Sequence, residues 1–233
     1  MATLTVRNLA KSYGGVRALA GISFSVAAGE MVAMIGPNGA GKTTCFNALN
    51  GQVAPDSGEV LLDGASMLGL APHQVARLGV GRTFQVAATF GSMSVHENVR
   101  VALDACGQAG EIETILARVG MADQGDVACS ALAYGELKRV ELAMVLAQRP
   151  RLLLMDEPTA GMAPEERDTL MKLAAELARG ENIGVLFTEH DMDVVFGFAD
   201  RVIALHLGEL IAEGPPEKVR ADARLREVYL GDA

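Results

Sequence analysis

The chain is poor in cysteine and in aromatic residues, and it contains no tryptophan. Its three cysteines, Cys45, Cys106 and Cys129, are odd in number and form no CxxC pair, so a disulfide framework and a zinc site are both disfavoured. We expect Cys45 to be a small buried residue rather than a nucleophile. This use of cysteine is typical of a protein in a reducing compartment.

Basic residues are also scarce, since Lys and Arg number 20 against 29 Asp and Glu and the formal net charge is −9. This balance argues against nonspecific nucleic-acid binding and against a polybasic membrane anchor. No apolar run approaches the roughly 18–20 residues that span a bilayer. Residues 1–7 lack the charged and then apolar pattern of a secretory signal. We expect no nucleic acid among the partners and no transmembrane segment.

Residues 36–44 read GPNGAGKTT, which fits the phosphate-binding pattern GxxxxGK followed by Thr. The segment lies between an apolar run at 31–35, predicted to be a buried strand, and a predicted helix at 43–49. Glycines in such a loop let backbone N–H groups converge on phosphate oxygens, and the helix N-terminus adds a partial positive charge. Lys42 would bind the outer phosphates of a nucleotide, and the Thr43 hydroxyl would bind Mg²⁺. The residues assigned to nucleotide binding are Gly36, Pro37, Asn38, Gly39, Ala40, Gly41, Lys42, Thr43 and Thr44.

A second apolar run, at 151–155, ends in Asp156 and Glu157. Open α/β sheets place ligand chemistry at the carboxyl ends of their strands. We expect Asp156 to hold Mg²⁺, through a water molecule, beside Thr43. Glu157 could then polarise a water molecule for in-line attack on the terminal phosphate.

Two further polar residues follow extended segments. His190 comes soon after the apolar run at 183–187, so it would project from the same sheet edge and could hydrogen-bond a terminal phosphate. Gln85 follows the extended segment at 80–84, and its amide could reach Mg²⁺ or the attacking water. Taken alone, Gln85 is weak evidence for a site, and His190 fits a surface residue equally well.

Residues 132–136, Leu-Ala-Tyr-Gly-Glu, precede the strongest helical pattern in the chain, at 136–147. Short residues followed by Gly at a helix start make a second candidate anion site. The same residues fit an ordinary N-cap, in which Glu136 complements the helix dipole. Without other information, the N-cap is the favoured interpretation.

The order of the predicted elements indicates an α/β protein. Alternation in the first 30 residues predicts short antiparallel strands, and helical periodicity dominates between 86 and 149. Elsewhere apolar strands alternate with helices, which implies a parallel sheet covered on both faces. The other predicted elements are strands at 59–63 and 202–205 and helices at 71–78, 95–105, 111–119 and 164–178. The predicted division is a first part of the core with the antiparallel strands at 1–85, a helical insert at 86–149, and a second part of the core with C-terminal helices at 150–233.

These motifs occur in the order and spacing of ABC-transporter ATPase domains, and the resemblance covers essentially the whole chain. It implies a P-loop NTPase (RecA-like) parallel-sheet core with an N-terminal antiparallel β subdomain and an inserted helical subdomain. The nucleotide would be ATP, and its cation would be Mg²⁺. The catalytic residues would be Lys42, Gln85, Glu157 and His190, and the metal ligands would be Thr43, Gln85 and Asp156.

In that family the signature Leu-Ser-Gly-Gly-Gln caps the γ-phosphate of ATP bound to the opposite subunit. The residues that match its position are Leu132, Ala133, Tyr134, Gly135 and Glu136. Ala133 replaces the usual serine and so removes a hydroxyl hydrogen bond that could contribute about 1.5–3 kcal/mol. Phosphate recognition would then shift to the backbone N–H groups of Tyr134 and Gly135. Glu136 replaces the usual glutamine.

The resemblance also assigns roles outside these motifs. Tyr13 would stack on adenine, an interaction worth about 1–3 kcal/mol. Residues 160–163 would form the loop that crosses the dimer interface, and Ala163 stands where an aspartate is common. No departure from the family pattern removes a magnesium ligand or Glu157, so we still expect hydrolysis.

A finer resemblance is to the ATPase subunits of bacterial importers for branched-chain (hydrophobic) amino acids. It rests on Ala-Tyr-Gly at 133–135, Gly-Arg-Thr-Phe-Gln at 81–85, Glu-His-Asp-Met at 189–192 and Tyr-Leu-Gly at 229–231. It does not identify the solute, because such an ATPase never touches the transported molecule. Importers for urea or amides would carry much the same motifs.

The resemblance implies a homodimer or heterodimer that closes around two MgATP molecules and drives an importer. The other partners would be transmembrane permease subunits and, indirectly, a periplasmic or extracellular solute-binding protein. The chain would then be a peripheral protein on the cytoplasmic face of the inner (cell) membrane. Residues 86–99, and 89–93 in particular, would receive a coupling helix of the permease.

Two other classes of function stay open at this point. One is a soluble ABC ATPase that acts on DNA or ribosomes, although such proteins usually carry coiled-coil insertions, duplicated cassettes or basic patches. The other is a regulatory or structural protein that binds ATP without turnover. A P-loop kinase is less favoured, because nothing in the sequence resembles an acceptor-substrate domain.

Overall fold

The computed structural model describes residues 2–225. Its strands are β1 (Ala2–Tyr13), β2 (Val16–Ala27), β3 (Met31–Ile35), β4 (Ser57–Leu62), β5 (Ala65–Ser66), β6 (Val80–Thr83), β7 (Leu152–Asp156), β8 (Gly184–Thr188), β9 (Arg201–His206) and β10 (Glu209–Gly214). Its α-helices are α1 (Lys42–Leu49), α2 (Pro72–Leu78), α3 (Val95–Cys106), α4 (Ile112–Arg118), α5 (Tyr134–Leu146), α6 (Pro164–Glu181), α7 (Met192–Phe198) and α8 (Pro216–Arg220). The Tyr-Leu-Gly ending at 229–231 lies outside the described residues.

Two sheets organise the chain. The larger has the order β10-β9-β3-β8-β7-β6, and all of its pairs are parallel except the antiparallel pair of β9 and β10 at one edge. The smaller is antiparallel, with the order β2-β1-β4-β5. The carboxyl ends of β3, β6, β7 and β8 therefore meet at one edge of the larger sheet, which is where the predicted site residues begin.

Alternation along the central strands divides the hydrophobic core into two clusters. In β7, Leu153 and Met155 pack on the side of the helices α3 to α6, whereas Leu152 and Leu154 pack on the side of α1 and the smaller sheet. A strand that is buried on both faces reads as a continuous apolar run, because each of its two faces needs an apolar side chain. This explains why the runs at 31–35 and 151–155 stand out in the sequence.

The predicted elements agree closely with the structure, apart from the ends of several of them. The helix predicted at 71–78 begins at Pro72, and the strand predicted at 59–63 begins at Ser57 and ends at Leu62. The helices α3, α4 and α5 all lie between β6 and β7, and the division of the chain at 85/86 and 149/150 stays a prediction. The sequence analysis missed β5 and β10, gave no bounds for the C-terminal helices α7 and α8, and did not anticipate an antiparallel strand in the larger sheet.

A tight turn between β9 and β10 packs against the phosphate-binding loop. Gly208 has a φ of +82°, and a Cβ atom there would come within 2.9 Å of the carbonyl oxygens of Arg17 and Ala18. Its N–H group donates to the carbonyl oxygen of Ala40 at 3.0 Å, and its own carbonyl oxygen accepts from the N–H of Ala20 at 2.8 Å. Only glycine combines this backbone conformation with so close an approach.

None of the helices in residues 2–225 is both long enough and apolar enough to cross a membrane.

Candidate nucleotide site

The phosphate-binding loop joins β3 to α1 and is shaped by glycine. Gly41 precedes α1 with a φ of +109°, and a Cβ atom there would lie 2.4 Å from the carbonyl oxygen of Ala18. A side chain at this position is excluded both by the left-handed backbone and by this contact. The loop borders a cavity of about 270 Å³, lined by Val16, Ala18, Glu157 and the eight residues from Pro37 to Thr44.

Lys42 is a buried cation at the start of α1. Its ammonium group donates to the carbonyl oxygens of Gly36 and, at 3.3 Å, of Pro37. Burial lowers the pKa of Lys42, and the carboxylates of Glu157 and Asp156 act in the opposite direction. A polyphosphate in the cavity would favour the charged form of Lys42 much as these carboxylates do.

Asp156 ends β7 and is held from two sides. Its Oδ1 accepts a hydrogen bond from the hydroxyl of Thr188 at 2.9 Å, and its Oδ2 pairs with the guanidinium of Arg82 at 3.1 Å. Arg82 also donates to Asn47 on α1 at 2.8 Å. The side chain of Arg82 therefore links the end of β7 to the helix that follows the phosphate-binding loop.

Glu157 occupies a left-handed backbone conformation, with a φ of +47°. For a residue other than glycine this conformation costs roughly 1–2 kcal/mol. It is held by the Glu157 N–H group, which donates to the carbonyl oxygen of Thr188 at 3.1 Å and to its hydroxyl at 3.0 Å. The strained turn aims the carboxylate of Glu157 into the cavity instead of along the strand.

Three of the predicted catalytic residues meet at the Glu157 carboxylate. The amide Nε2 of Gln85 donates to its Oε2 at 2.9 Å, and Nε2 of His190 lies 3.0 Å from its Oε1. With Lys42 lining the same cavity, the structure brings the four predicted catalytic residues together. They come from three strand ends and from the start of α1.

The segment at 132–136 lies elsewhere. Among the described residues, none of these five lines the cavity. The hydroxyl of Tyr134 donates to the backbone carbonyl oxygen of Gln85 at 2.7 Å, so the segment contacts the Gln85 loop, whereas the Gln85 amide points to Glu157. The first helical bond of α5 runs from the N–H of Leu137 to the carbonyl oxygen of Ala133. The N–H groups of residues 134–136 precede that bond, as at any helix start.

Glu136 is engaged within its own chain. Its Oε2 accepts from the N–H of Ala133 at 2.9 Å, and its Oε1 accepts from the amide of Gln124 at 2.7 Å. The Gln124 hydrogen bond and then the Ala133 hydrogen bond lower the pKa of Glu136. Glu136 is therefore bonded to the N–H group of the N-cap residue Ala133, and a second anion site at the same helix start stays a prediction.

A family model described as ABC transporter matches residues 19–160, more than half of the chain. This chain belongs to the ABC transporter family. Known ABC proteins of similar length cover nearly all of it. The BraF protein of Pseudomonas aeruginosa, described as a high-affinity branched-chain amino acid transport ATP-binding protein, is 38% identical over 250 residues, which cover 99% of this chain and 98% of BraF.

Two further comparisons bear on fold and transport direction. The lipopolysaccharide export system ATP-binding protein LptB of Haemophilus influenzae is 34% identical, over 100% of this chain and 98% of LptB. The crystal structure of the ADP conformation of MJ1267, an ATP-binding cassette of an ABC transporter, superposes with a TM-score of 0.90 at 29% identity and covers 100% of both chains. The predicted fold class and the predicted ABC ATPase are confirmed.

The oxygen donors of this ABC cassette suit Mg²⁺. Thr43 is exposed at the cavity and offers a hydroxyl, Asp156 offers a carboxylate, and Gln85 offers an amide oxygen because its Nε2 is already bonded to Glu157. Hard oxygen ligands together with water are the ligands that Mg²⁺ prefers. The three predicted metal ligands therefore fit the ion in chemistry, and metal binding by them stays a prediction.

Tyr13, the residue predicted to stack on adenine, does not line the cavity. Its ring is 48% exposed, and the ammonium of Lys11 lies 5.5 Å from the ring centroid. Among the described residues that line the cavity Tyr13 does not occur, whereas Val16, which the sequence analysis passed over, is 69% exposed and does line it. An apolar Val directly after the Gly14-Gly15 turn is a weak signal that could have identified Val16.

The sequence analysis also missed two polar residues that hold predicted site residues of the cassette in place. Arg82 and Gln124 each hold a predicted site residue in place, and the signal for Arg82 was a charged residue inside a strand otherwise suited to a buried parallel sheet. A charge in such a strand needs a partner. Its partner is Asp156, 74 positions later in the chain.

Proposed function

We propose that this ABC cassette binds and hydrolyses MgATP between two copies of the fold and so drives an importer, with branched-chain or other hydrophobic amino acids as the transported class. The observation that carries the proposal is the junction at Glu157, where Gln85 and His190 meet one carboxylate beside the Lys42 cavity. Hydrolysis needs a base, a water and a held phosphate within hydrogen-bond reach of one another. In this proposal Glu157 is the base, the cavity beside Lys42 holds the phosphate, and the water lies between them next to Gln85.

Each residue of the junction has a chemical role in this proposal. The loop N–H groups and Lys42 bind the phosphates, and Thr43, Gln85 and Asp156 hold the metal ion, which would neutralise charge on the phosphates. Glu157 accepts a proton from the attacking water, which Gln85 helps to orient. His190 hydrogen-bonds the γ-phosphate and fixes the Glu157 carboxylate from its other side.

A second chain would complete the site. The segment at 132–136 does not line the cavity of its own chain, so the N–H groups at this helix start would be offered to the γ-phosphate of ATP held by a partner. Two chains, identical or homologous, would close head-to-tail with residues 160–163 between them. ATP would favour the closed state, and hydrolysis would remove that bias.

The contact with the membrane partner would lie on the helical insert. Phe84, Val86 and Phe90 are large apolar residues that are 40%, 75% and 48% exposed, and all three fall at or near the segment 86–99. Such a cluster suits a coupling helix of a transmembrane permease, with residues 89–93 as its seat. The chain would then be peripheral, at the cytoplasmic face of the cell membrane, and a solute-binding protein would interact only indirectly. In this proposal the helical insert at 86–149 contacts the permease, and the parts of the core at 1–85 and 150–233 bind the nucleotide.

The transported solute rests on similarity to BraF and on the Ala-Tyr-Gly motif. Similarity to LptB, a protein named for export, favours a second candidate, an exporter ATPase, because the cassette chemistry is the same in either direction. Soluble action on DNA or ribosomes and ATP binding without turnover receive no support from the relatives reported above.

The decisive experiment has two arms. In the first, the purified chain is incubated with MgATP and phosphate release is measured, since absence of turnover would reduce the protein to a nucleotide-binding regulator. In the second, the chain is isolated from its own cells together with the proteins bound to it. Uptake of labelled leucine is also compared between cells that contain the chain and cells that lack it. Loss of uptake supports the importer, co-isolation with an export system favours the second candidate, and co-isolation with ribosomes or nucleic acid refutes both.

A further inference from the structure

Two charged residues are buried together on α5, outside the site described above. Lys138 and Glu141 are only 2% and 3% exposed, and Lys138 Nζ lies 3.4 Å from Glu141 Oε2. Removing two charges from water is expensive, and their mutual attraction offsets this only when further hydrogen bonds are made. The pair therefore requires an explanation other than surface solubility.

The further hydrogen bonds all go to one loop, residues 84–88, which we call the Gln85 loop. Glu141 Oε1 accepts from the N–H groups of Phe84 and Ala88, both at 3.1 Å. Lys138 donates to the carbonyl oxygen of Phe84. The loop is neither helix nor strand, so these backbone groups have no helix or ladder partners and take side-chain partners instead. The pair supplies them from α5.

These contacts lie directly behind a residue of the proposed active site. Gln85, inside the loop, donates its amide to Glu157, and Tyr134 on the first turn of α5 donates to the Gln85 carbonyl oxygen. We propose that Lys138 and Glu141 are positioning residues for ATP hydrolysis, which lock the Gln85 loop to α5 so that the Gln85 amide moves with the signature helix. This rests on the proposed function and adds to it the residues that join the two halves of the site.

The geometry makes this connection consequential. Helix α5 begins at the segment expected to meet the partner's nucleotide, and its third and sixth residues after Gly135 are Lys138 and Glu141. A shift of about 1 Å in a catalytic group can reduce a rate by about a hundredfold. The Gln85 loop is bonded to α5 at Phe84, Gln85 and Ala88. A shift of α5 would therefore move the Gln85 amide relative to Glu157.

A third buried carboxylate, Glu189, lies near the pair and holds the segments that contain Thr159 and His190. Glu189 Oε1 accepts from the N–H and hydroxyl of Thr159 at 2.8 and 2.7 Å, and its Oε2 accepts from the N–H of His190 at 3.2 Å. Burial lowers the pKa of Lys138, while Glu141 and then Glu189 oppose that shift. Lys138 thus lies among buried carboxylates that fix the Gln85 loop and the loops of Thr159 and His190.

The test compares two double variants of equal charge. Lys138→Met/Glu141→Gln removes both charges but keeps an oxygen that can accept from Phe84 and Ala88, whereas Lys138→Met/Glu141→Leu keeps none. We expect kcat for ATP hydrolysis to be about tenfold or more lower in the second variant than in the first, because only the first keeps an acceptor for the N–H groups of Phe84 and Ala88. The dissociation constant for MgATP should stay within about twofold in both, because neither residue lines the cavity.

A second readout is independent of turnover. The chain has no tryptophan, so Val86→Trp introduces a single tryptophan, whose emission can be excited selectively, into the Gln85 loop. Acrylamide should quench it more strongly in the Leu variant than in the Gln variant. Leu142→Ala, buried on the same helix without contributing these hydrogen bonds, controls for lost stability and should leave quenching unchanged.

Equal kcat and equal quenching in the two double variants would overturn the proposal. If neither double variant folds, Tyr134→Phe removes only the exposed hydroxyl contact to Gln85 and should lower kcat about threefold at unchanged KM. An unaltered kcat there would then reject the positioning role. If the unmodified chain hydrolyses no ATP, the proposed function fails, but quenching still decides whether the pair holds the loop.

Discussion

The two halves of the candidate site differ in how far one chain can complete them. At the sheet edge, Lys42, Gln85, Glu157 and His190 come from distant parts of the sequence and are bonded to one another or border one cavity. At the start of α5, the carboxylate of Glu136 is used within the chain, and none of the described residues 132–136 lines that cavity. A single chain thus contains a candidate chemical centre and, separately, a helix start that we propose acts on the nucleotide of a partner chain.

The largest effect should come from the chemical centre. Glu157→Gln keeps the size of the side chain and its contacts with Gln85 and His190 but removes the base, so kcat should fall by about a hundredfold or more. Steady-state phosphate release measures this. ATP affinity should be retained, and an ATP-dependent dimer should become detectable by gel filtration. Glu176→Gln, on the exposed face of α6, is the matched control, and a Glu157→Gln protein with normal turnover would remove Glu157 from the mechanism.

Lys42→Ala should act on binding. The variant loses the buried ammonium group that would bind the phosphates, and no second chain is needed for that contact. The dissociation constant for MgATP should therefore rise about 10- to 100-fold, the range for one charged hydrogen bond. Isothermal titration calorimetry is the direct measurement. Lys172→Ala changes an exposed lysine on α6 and should bind normally. Near-normal affinity in Lys42→Ala would place the nucleotide elsewhere.

Gly135→Asp should separate the two halves most clearly. A Cβ atom at Gly135 would come within 2.9 Å of Glu166 Oε1, so the new carboxylate would crowd a like charge and would repel a partner's phosphate. Because like charges across an interface cost several kcal/mol, turnover should fall at least about tenfold. MgATP binding to the isolated chain should be unchanged. Gly180→Asp, where a Cβ meets nothing within 4 Å, is the control.

Mixing the two defective proteins sharpens the comparison. A dimer of one Lys42→Ala chain and one Gly135→Asp chain contains one site in which the phosphate-binding loop and the signature segment are both intact. Turnover in the mixture should therefore exceed that of either variant alone. If the mixture stays as inactive as its components, the site is not shared between chains.

The smallest effect concerns the cap of α5. Gln124→Leu removes the amide bonded to Glu136 and should lower the free energy of unfolding by about 0.5–1 kcal/mol at neutral pH. The pKa of Glu136 is lowered in the folded chain, so its stabilisation is present above the unfolded pKa and is lost as the pH falls through the folded one. Urea unfolding should show the Gln124→Leu deficit at about pH 7 and a much smaller one at about pH 3. Gln108→Leu serves as the control, and a deficit that ignores pH would exclude the Glu136 carboxylate as its cause.

The elements that the sequence predicts well are those whose signal is local. The apolar runs of β3 and β7, the glycines of the phosphate-binding loop and the period of α5 each depend on neighbouring residues. Helix α7, one of the predicted C-terminal helices, could not be located in the sequence because Val, Phe and Gly within it are poor helix formers. It is started by Asp191, whose carboxylate accepts from the N–H groups of Asp193 and Val194.

The parts that escaped prediction depend on distant partners. Arg82 meets Asp156 and Lys138 meets the backbone of Phe84 only because the strands and α5 are already assembled. Nothing in the spacing of these residues signals the contact, and a buried Lys or Glu looks like a solvated charge in the sequence. The predicted residues at the sheet edge were found because strand ends converge by topology.

The hairpin of β9 and β10 supports the phosphate-binding loop through Gly208, although it lies far from Lys42 in the sequence. Because Gly208 shares hydrogen bonds with Ala40 and Ala20, this hairpin braces the backbone on which the polyphosphate would rest. An affinity tag or reporter loop inserted between β9 and β10, at what looks like a harmless surface hairpin, would take away that support. Fusions to this protein are better made in a different exposed loop.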